Sequence, residues 1–450
     1  MLGVLLATAL GGLAGGAVLP APMVGALVLG VLCIGLWATA VLPEYWTALA
    51  FFLAAVVLGI APAETVFSGF RSSTFWLLFG GLVLGAAIRH TGLDKRSAAF
   101  LSRTLGTRYP GVILGIVAFG LALGFVMPSS LGRAVLMVPI VAALAARMGY
   151  GPQSNGRTGM LLAAAFGSHV PTFAILPSNV PNMILAGTAE TLYRTTLTYW
   201  DYLLLHFPVL GLVKAALLVP LILWLFPDHD PAPAASAQQR SEPISTGERR
   251  LAVVLALSLV LWLGDGLHHV SPAWISLAAA LYCLWPGSGL TSTRCINEEI
   301  NHGSLLFVAG IMGLGAVIAA SGLGASLVHA LREHAGLGTG RPLWNVAALA
   351  VISSLVATLT TLPGVPAVMT PLADELARTA GLPLETVLMT QVLGFSNVLL
   401  PYQSPPLLAA IALGNLPAGA AAKLCLVLFL VTTLVLTPLD LLWWHLVGWL

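Results

Sequence analysis

FVMPSSLGRAV (residues 125–135) and LTTLPGVPAV (residues 359–368) each interrupt a long apolar stretch, 110–147 and 342–374 respectively. Proline removes a backbone donor and breaks a helix. Within a bilayer, broken backbone survives only where it is buried in protein or lines a watery cavity. Each stretch is therefore expected to be a re-entrant helical hairpin with its tip at membrane depth. Two later apolar stretches are also broken, by PSNVPN at 177–182 and SNVLLPYQSPP at 396–406.

The composition places these breaks in a membrane. Hydrophobic residues make up 58% of the 450, and charged residues only 8%, against about 25% in a typical soluble domain. So few charges cannot cover a soluble surface of this size. The net charge of +2 implies no nucleic-acid partner. Cys33, Cys283, Cys295 and Cys425 are scattered, with neither a disulfide framework nor a metal spacing. The first basic residue is Arg71, so the opening stretch is expected to be a retained span rather than a signal peptide.

Spans of about 20 apolar residues are expected at 2–18, 23–43, 46–62, 74–91, 160–187, 207–226, 250–265, 272–287, 304–322, 385–413 and 417–437. The fold class is an all-α polytopic membrane protein of about eleven transmembrane helices plus the two hairpins. The Lys/Arg bias of short loops, ten against five, puts the amino terminus in the cytoplasm and the carboxyl terminus outside. A bacterial inner membrane is the expected location.

The halves repeat. GAAIRHTGL at 85–93 matches GAVIAASGL at 315–323, and each is followed by an amphipathic segment, 95–106 and 325–336. A hairpin, a broken span and a closing span follow in the same order. The copies enter from opposite faces, so the repeat is inverted, with discontinuous helices near the midplane as in secondary transporters. The expected organisation is scaffold at 1–108, transport part at 109–226, cytoplasmic linker at 227–249, scaffold at 250–340 and transport part at 341–450.

From about residue 20 onward the chain resembles the divalent anion/sodium symporter family of the ion transporter superfamily. The similarity rests on ETVFSGFRSSTFWLLFGGLVLGAAIRHTGL (64–93), SNVPNMILAG (178–187), LPYQSPPLLAAIALG (400–414) and the architecture. It implies a dimeric, elevator-type secondary transporter of small anions such as dicarboxylates or sulfate, with sodium ions as coupling ions and no other cofactor. Family members carry Ser-Asn-Thr at both tips. Here the tips read Ser129-Ser130-Leu131 and Thr361-Leu362-Pro363.

The candidate site follows from these breaks. Ser129, Ser130, Arg133, Asn179, Thr361 and Ser404 are the expected substrate-binding residues. A hard cation takes neutral oxygens of Ser, Thr and Asn and of unwound backbone. Ser129, Ser130, Ser178 and Asn179 supply one such cluster, and Thr360, Thr361, Gln403 and Ser404 the other. Arg133 either gives fixed positive charge to an anion, in place of a lost sodium ion, or snorkels or pairs with a carbonyl at the tip. His169 either couples protons or is a satisfied core histidine. Lys214 and Lys423 are expected to snorkel from span ends, Asp265 to be solvated, and Trp443 and Trp444 to lie in an interfacial belt. No Asp or Glu is expected well inside a core span, which disfavours a sodium/proton antiporter or ion-efflux protein. A membrane-embedded enzyme lacks its motifs here; a non-transporting relative is the remaining alternative.

Overall fold

The computed structural model describes residues 1–16, 19–94, 96, 108–229 and 243–450. The amphipathic segment expected at 95–106 and most of the linker at 227–249 lie outside the described residues. The protein is an all-helical polytopic membrane protein. Among the described residues, eight helices are long and apolar enough to cross a bilayer, and five shorter apolar helices accompany them. With no water in the bilayer core, a helix satisfies its own backbone, which is why the apolar runs fold this way.

The repeat is visible in matched details. Ser73–Thr91 and His302–Ser321 both end on a left-handed glycine, Gly92 (φ 80°) and Gly322 (φ 77°). Only glycine adopts that conformation without strain, so the conserved spacing of GAAIRHTGL and GAVIAASGL marks two equivalent helix ends. A helix pair comes next in each half: Tyr109–Val126 with Ser130–Arg147, and Pro342–Leu359 with Gly364–Met369. The breaks between them, at 127–129 and 360–363, fall where the two proline-bearing stretches predict.

Each pair is followed by a broken helix. The first consists of Asn155–Gly167 and Val180–Tyr193, the second of Leu384–Phe395 and Pro405–Gly414. Short 3-10 turns, Leu176–Ser178 and Pro401–Gln403, bridge the two breaks at equivalent places. The closing spans are Tyr199–Leu225 and Ala418–Leu446. Each contains a π-helical turn, Phe207–Val213 and Thr432–Leu436.

The buried apolar side chains form two clusters. One is built mainly from residues 109–226 and 346–444 and holds both helix pairs, both broken helices and both closing spans. The other is built mainly from residues 26–88 and 251–323. The last span runs further than expected, so Trp444 is fully buried rather than interfacial. Asp265 is buried too; its carboxylate accepts from the N–H groups of Tyr199 and Trp200 at the start of the first closing span.

Candidate functional site

A cavity of about 910 Å³ lies between the two clusters of the fold, with the breaks at its inner end. Ser129, Ser130, Val180, Pro181, Pro363, Ser404 and Pro405 line it there, and His169 and Phe173 stand beside them. Its other end is rimmed by Glu44, Arg89, Asp94, Arg147 and Glu299. Leu78, Leu82, Val135, Leu136 and Ile140 form an apolar wall between the two ends.

Each inner element presents a helix N-terminus. Ser129 is in an extended conformation (φ −128°, ψ 105°) and its Oγ accepts from Gly132 N at 3.1 Å. Ser404 caps the second arm of the second broken helix with nearly the same dihedrals (φ −125°, ψ 103°), accepting from Leu407 N at 3.4 Å. Asn179 stands at the start of Val180–Tyr193, and Pro363 at the start of Gly364–Met369. A helix N-terminus carries unpaired N–H groups and partial positive charge. At the first tip Ser129 Oγ and O take the N–H groups of Gly132 and Arg133. By helix geometry the Ser130 and Leu131 N–H groups are those left for a ligand.

Among the described residues, one side-chain hydrogen bond joins the two halves at the cavity: Ser404 Oγ and His169 Nε2 are 2.7 Å apart. His169 is buried, packs edge-on against Phe173, and has no partner for Nδ1. The second tip is tied to the second break through the backbone, where Leu362 N donates to Gln403 O at 3.0 Å. Gln403 Oε1 accepts from Leu399 N and Leu400 N at 2.8 and 2.7 Å, which leaves its Nε2 unpartnered.

Arg133 is fully buried and does not line the cavity. Nε donates to Ser168 O at 2.7 Å, and Nη1 donates to Met127 O and Ser178 O. Nη2 donates to Thr172 Oγ1 at 2.9 Å and to Ser178 O at 3.2 Å. These are five bonds from a group with five donors, every one to a neutral oxygen of the chain. Of the two roles open to Arg133, this geometry is the pairing with carbonyls at the tip. It binds the first tip to the first helix break.

The other candidates sit as follows. Asn179 Nδ2 donates to Thr172 Oγ1 at 3.1 Å, while Asn179 Oδ1 and Ser178 Oγ are buried without a partner. Thr360 Oγ1 donates to Val356 O at 2.7 Å, and Thr361 O accepts from Gly364 N. Ser129, Ser130, His169 and Ser404 are thus brought to one cavity. Arg133, Ser178 and Asn179 lie behind it. Thr360, Thr361 and Gln403 hold the second tip and second break without lining the cavity.

Two charged groups depart from expectation. Lys214 does not snorkel: it is 1% exposed, mid-way along the first closing span, and Nζ donates to Ser396 O at 2.7 Å. Asp440 is 0% exposed within the last span, so a carboxylate does stand inside a core span. The span expected at 417–437 stops short of Asp440, and the one expected at 207–226 begins only seven residues before Lys214, whereas the helix begins at Tyr199. The longer helices put both residues in the interior.

Residues 34–394 match the citrate transporter family, CitMHS. The chain belongs to that family. It is accordingly a membrane transporter rather than an enzyme. A membrane protein of Cupriavidus necator is 23% identical over 396 residues, covering 85% of this chain and 76% of that protein. The L-tartrate/succinate antiporter of Escherichia coli K12 is 28% identical over 220 residues, 44% of this chain and 43% of the antiporter. Among solved structures, that of the YdaH transporter of Alcanivorax borkumensis superposes with a TM-score of 0.55 at 14% identity, covering 96% of this chain and 99% of that one. That likeness concerns the fold alone.

Proposed function

We propose that this citrate transporter family member is a secondary active transporter of small di- and tricarboxylates, binding them at the inner end of the cavity. The observation that carries the reading is the convergence of four helix N-termini, at Ser129, Asn179, Pro363 and Ser404, on one cavity without an acidic side chain at that end. Such ends attract anions, and Ser129, Ser130, Ser404 and His169 add neutral donors. The family, and the tartrate/succinate antiporter among its relatives, support carboxylates over sulfate.

The finer likeness to the divalent anion/sodium symporters belongs to this reading. The unit built on the helix pairs and broken helices would slide against the other cluster, elevator-fashion, in a homodimer of the bacterial inner membrane. A cation at each break complements the anion, since the oxygens there are neutral. With the amino terminus in the cytoplasm, the rim at Glu44, Arg89, Asp94, Arg147 and Glu299 faces inward, and the cavity is inward-open.

Asp440 favours a second reading, cation/proton antiport, because such proteins use a titratable carboxylate in a span. It does not line the cavity, and the carboxylate reading stands ahead. Thermal unfolding of the purified protein with citrate, succinate, L-tartrate or sulfate separates them. A bound anion at a hundredfold excess over its Kd stabilises by about 2.7 kcal/mol. A shift with a carboxylate supports the proposal; a shift with none, in protein that responds to pH alone, favours antiport.

A further inference from the structure

The first arm of each broken helix ends on a buried serine. Ser168 follows Asn155–Gly167, and Ser396 follows Leu384–Phe395. Their separation, 396 minus 168 or 228, lies beside the 225 that separates Ser404 from Asn179 and Pro406 from Pro181. Each serine is the C-terminal cap of the first arm in its half, so the two hold corresponding places in the repeat, three residues out of register. Each serine carbonyl accepts a 2.7 Å hydrogen bond from a buried cationic side chain: Arg133 Nε at Ser168 O, Lys214 Nζ at Ser396 O.

The cations reach these carbonyls by different routes. Arg133 comes from the helix pair of its own half, Lys214 from the first closing span across to the second half. A common position reached from unrelated places in the chain points to a requirement of the site rather than to inheritance of a residue. The chemistry is plain: a helix C-terminus carries partial negative charge and orphan carbonyls, which a cation neutralises. An intramembrane charge costs at least about 2.5–3.5 kcal/mol unless paired. Asp440 of the other closing span is fully buried as well, and neither of its carboxylate oxygens has a hydrogen-bond partner among the described residues. The π-helical turns Phe207–Val213 and Thr432–Leu436 precede Lys214 and Asp440 and touch one another; such turns recur at functional sites.

We infer that Lys214 is a built-in cation at the second helix break, as Arg133 is at the first, so that the transport cycle takes up no sodium ion at either break. The inference rests on the anion-transport reading and deepens it: the cation that complements the substrate belongs to the chain.

Two measurements on the full-length protein decide it. The first is thermal unfolding of wild type in sodium, potassium or choline chloride at one ionic strength. The expected result is no sodium-specific shift; a rise specific to sodium overturns the inference, whatever the substrate. The second is exchange of radiolabelled citrate and succinate in proteoliposomes. Wild type should exchange equally in sodium and choline. Lys214→Gln with Asp440→Asn, which keeps shape and removes both charges, should exchange at least about tenfold more slowly, the equivalent of 1.4 kcal/mol. Wild-type exchange that collapses in choline, or a neutral double variant that exchanges at the wild-type rate, overturns it. Should wild type exchange neither anion, the proposed function fails, and the sodium comparison still judges Lys214.

Discussion

Ser404 and His169 are the only described side chains whose direct hydrogen bond joins the two helix breaks across the cavity. A hydroxyl in that position serves two masters, capping its helix and meeting the imidazole. Ser404→Ala should leave folding nearly intact, since a lost cap costs about 1 kcal/mol, while weakening carboxylate affinity about tenfold, a 1.4 kcal/mol effect. Titration by thermal shift reads both quantities; unchanged affinity would remove Ser404 from the site. Arg133 belongs to another class of residue. Arg133→Gln strips donors from the carbonyls of Met127, Ser168 and Ser178, at about 1–3 kcal/mol for each one left unpaired. The expected outcome is poor yield or a melting point lowered by many degrees. Lysine at 133 should rescue little, because a point charge lacks the planar fork. A stable Arg133→Gln protein with weakened affinity alone would return Arg133 to the substrate.

At the scale of elements, most of the architecture was legible and the interior charges were not. Proline-bearing interruptions announce themselves, because bilayer physics leaves few reasons for PSS, TLPG, PSNVPN and QSPP within apolar runs. The repeat was readable from Gly92 and Gly322, whose left-handed backbone fixes the amino acid. Helix length is harder to read: the apolar stretches 207–226 and 417–437 understate helices that run Tyr199–Leu225 and Ala418–Leu446, so Lys214 lies deeper than its stretch implies and Asp440 lies within a helix that its stretch does not reach. The partners of Arg133 were illegible because all but Thr172 Oγ1 are carbonyls, which sequence does not distinguish. Close packing at the first break makes a further prediction. A Cβ on Gly120 would lie 2.7 Å from Ser168 N, so Gly120→Val should destabilise the protein by about 1–3 kcal/mol through overpacking; a melting point equal to wild type would contradict that. The Arg96–Glu248 pair, at 2.8 and 3.0 Å, ties the end of the first repeat helix region to the start of Thr246–Leu263. Its hydrogen bonds from Arg96, with the Ser245 cap, hold the Glu248 carboxyl down to about 2 from 4.5. A depressed carboxyl stabilises fully above its unfolded value and loses that contribution as pH falls towards its folded value. The stability gap between wild type and Glu248→Gln should therefore be constant above about pH 5 and close between roughly pH 4.5 and 2. A gap unchanged at pH 3 would show that the pair contributes nothing.

The whole molecule is two packed clusters with a cavity between them, helix N-termini at its inner end and a charged rim at the other. The direct test blocks that cavity without disturbing its walls. Val135 lines it and is 49% exposed, so Val135→Trp adds bulk where there is room. Counterflow of radiolabelled citrate and succinate into proteoliposomes would be measured for wild type and Val135→Trp, each with its melting point. The account predicts accumulation by wild type and almost none by a variant that melts within a few degrees of it. Undiminished accumulation by Val135→Trp would contradict it, since the substrate would then be passing by another route.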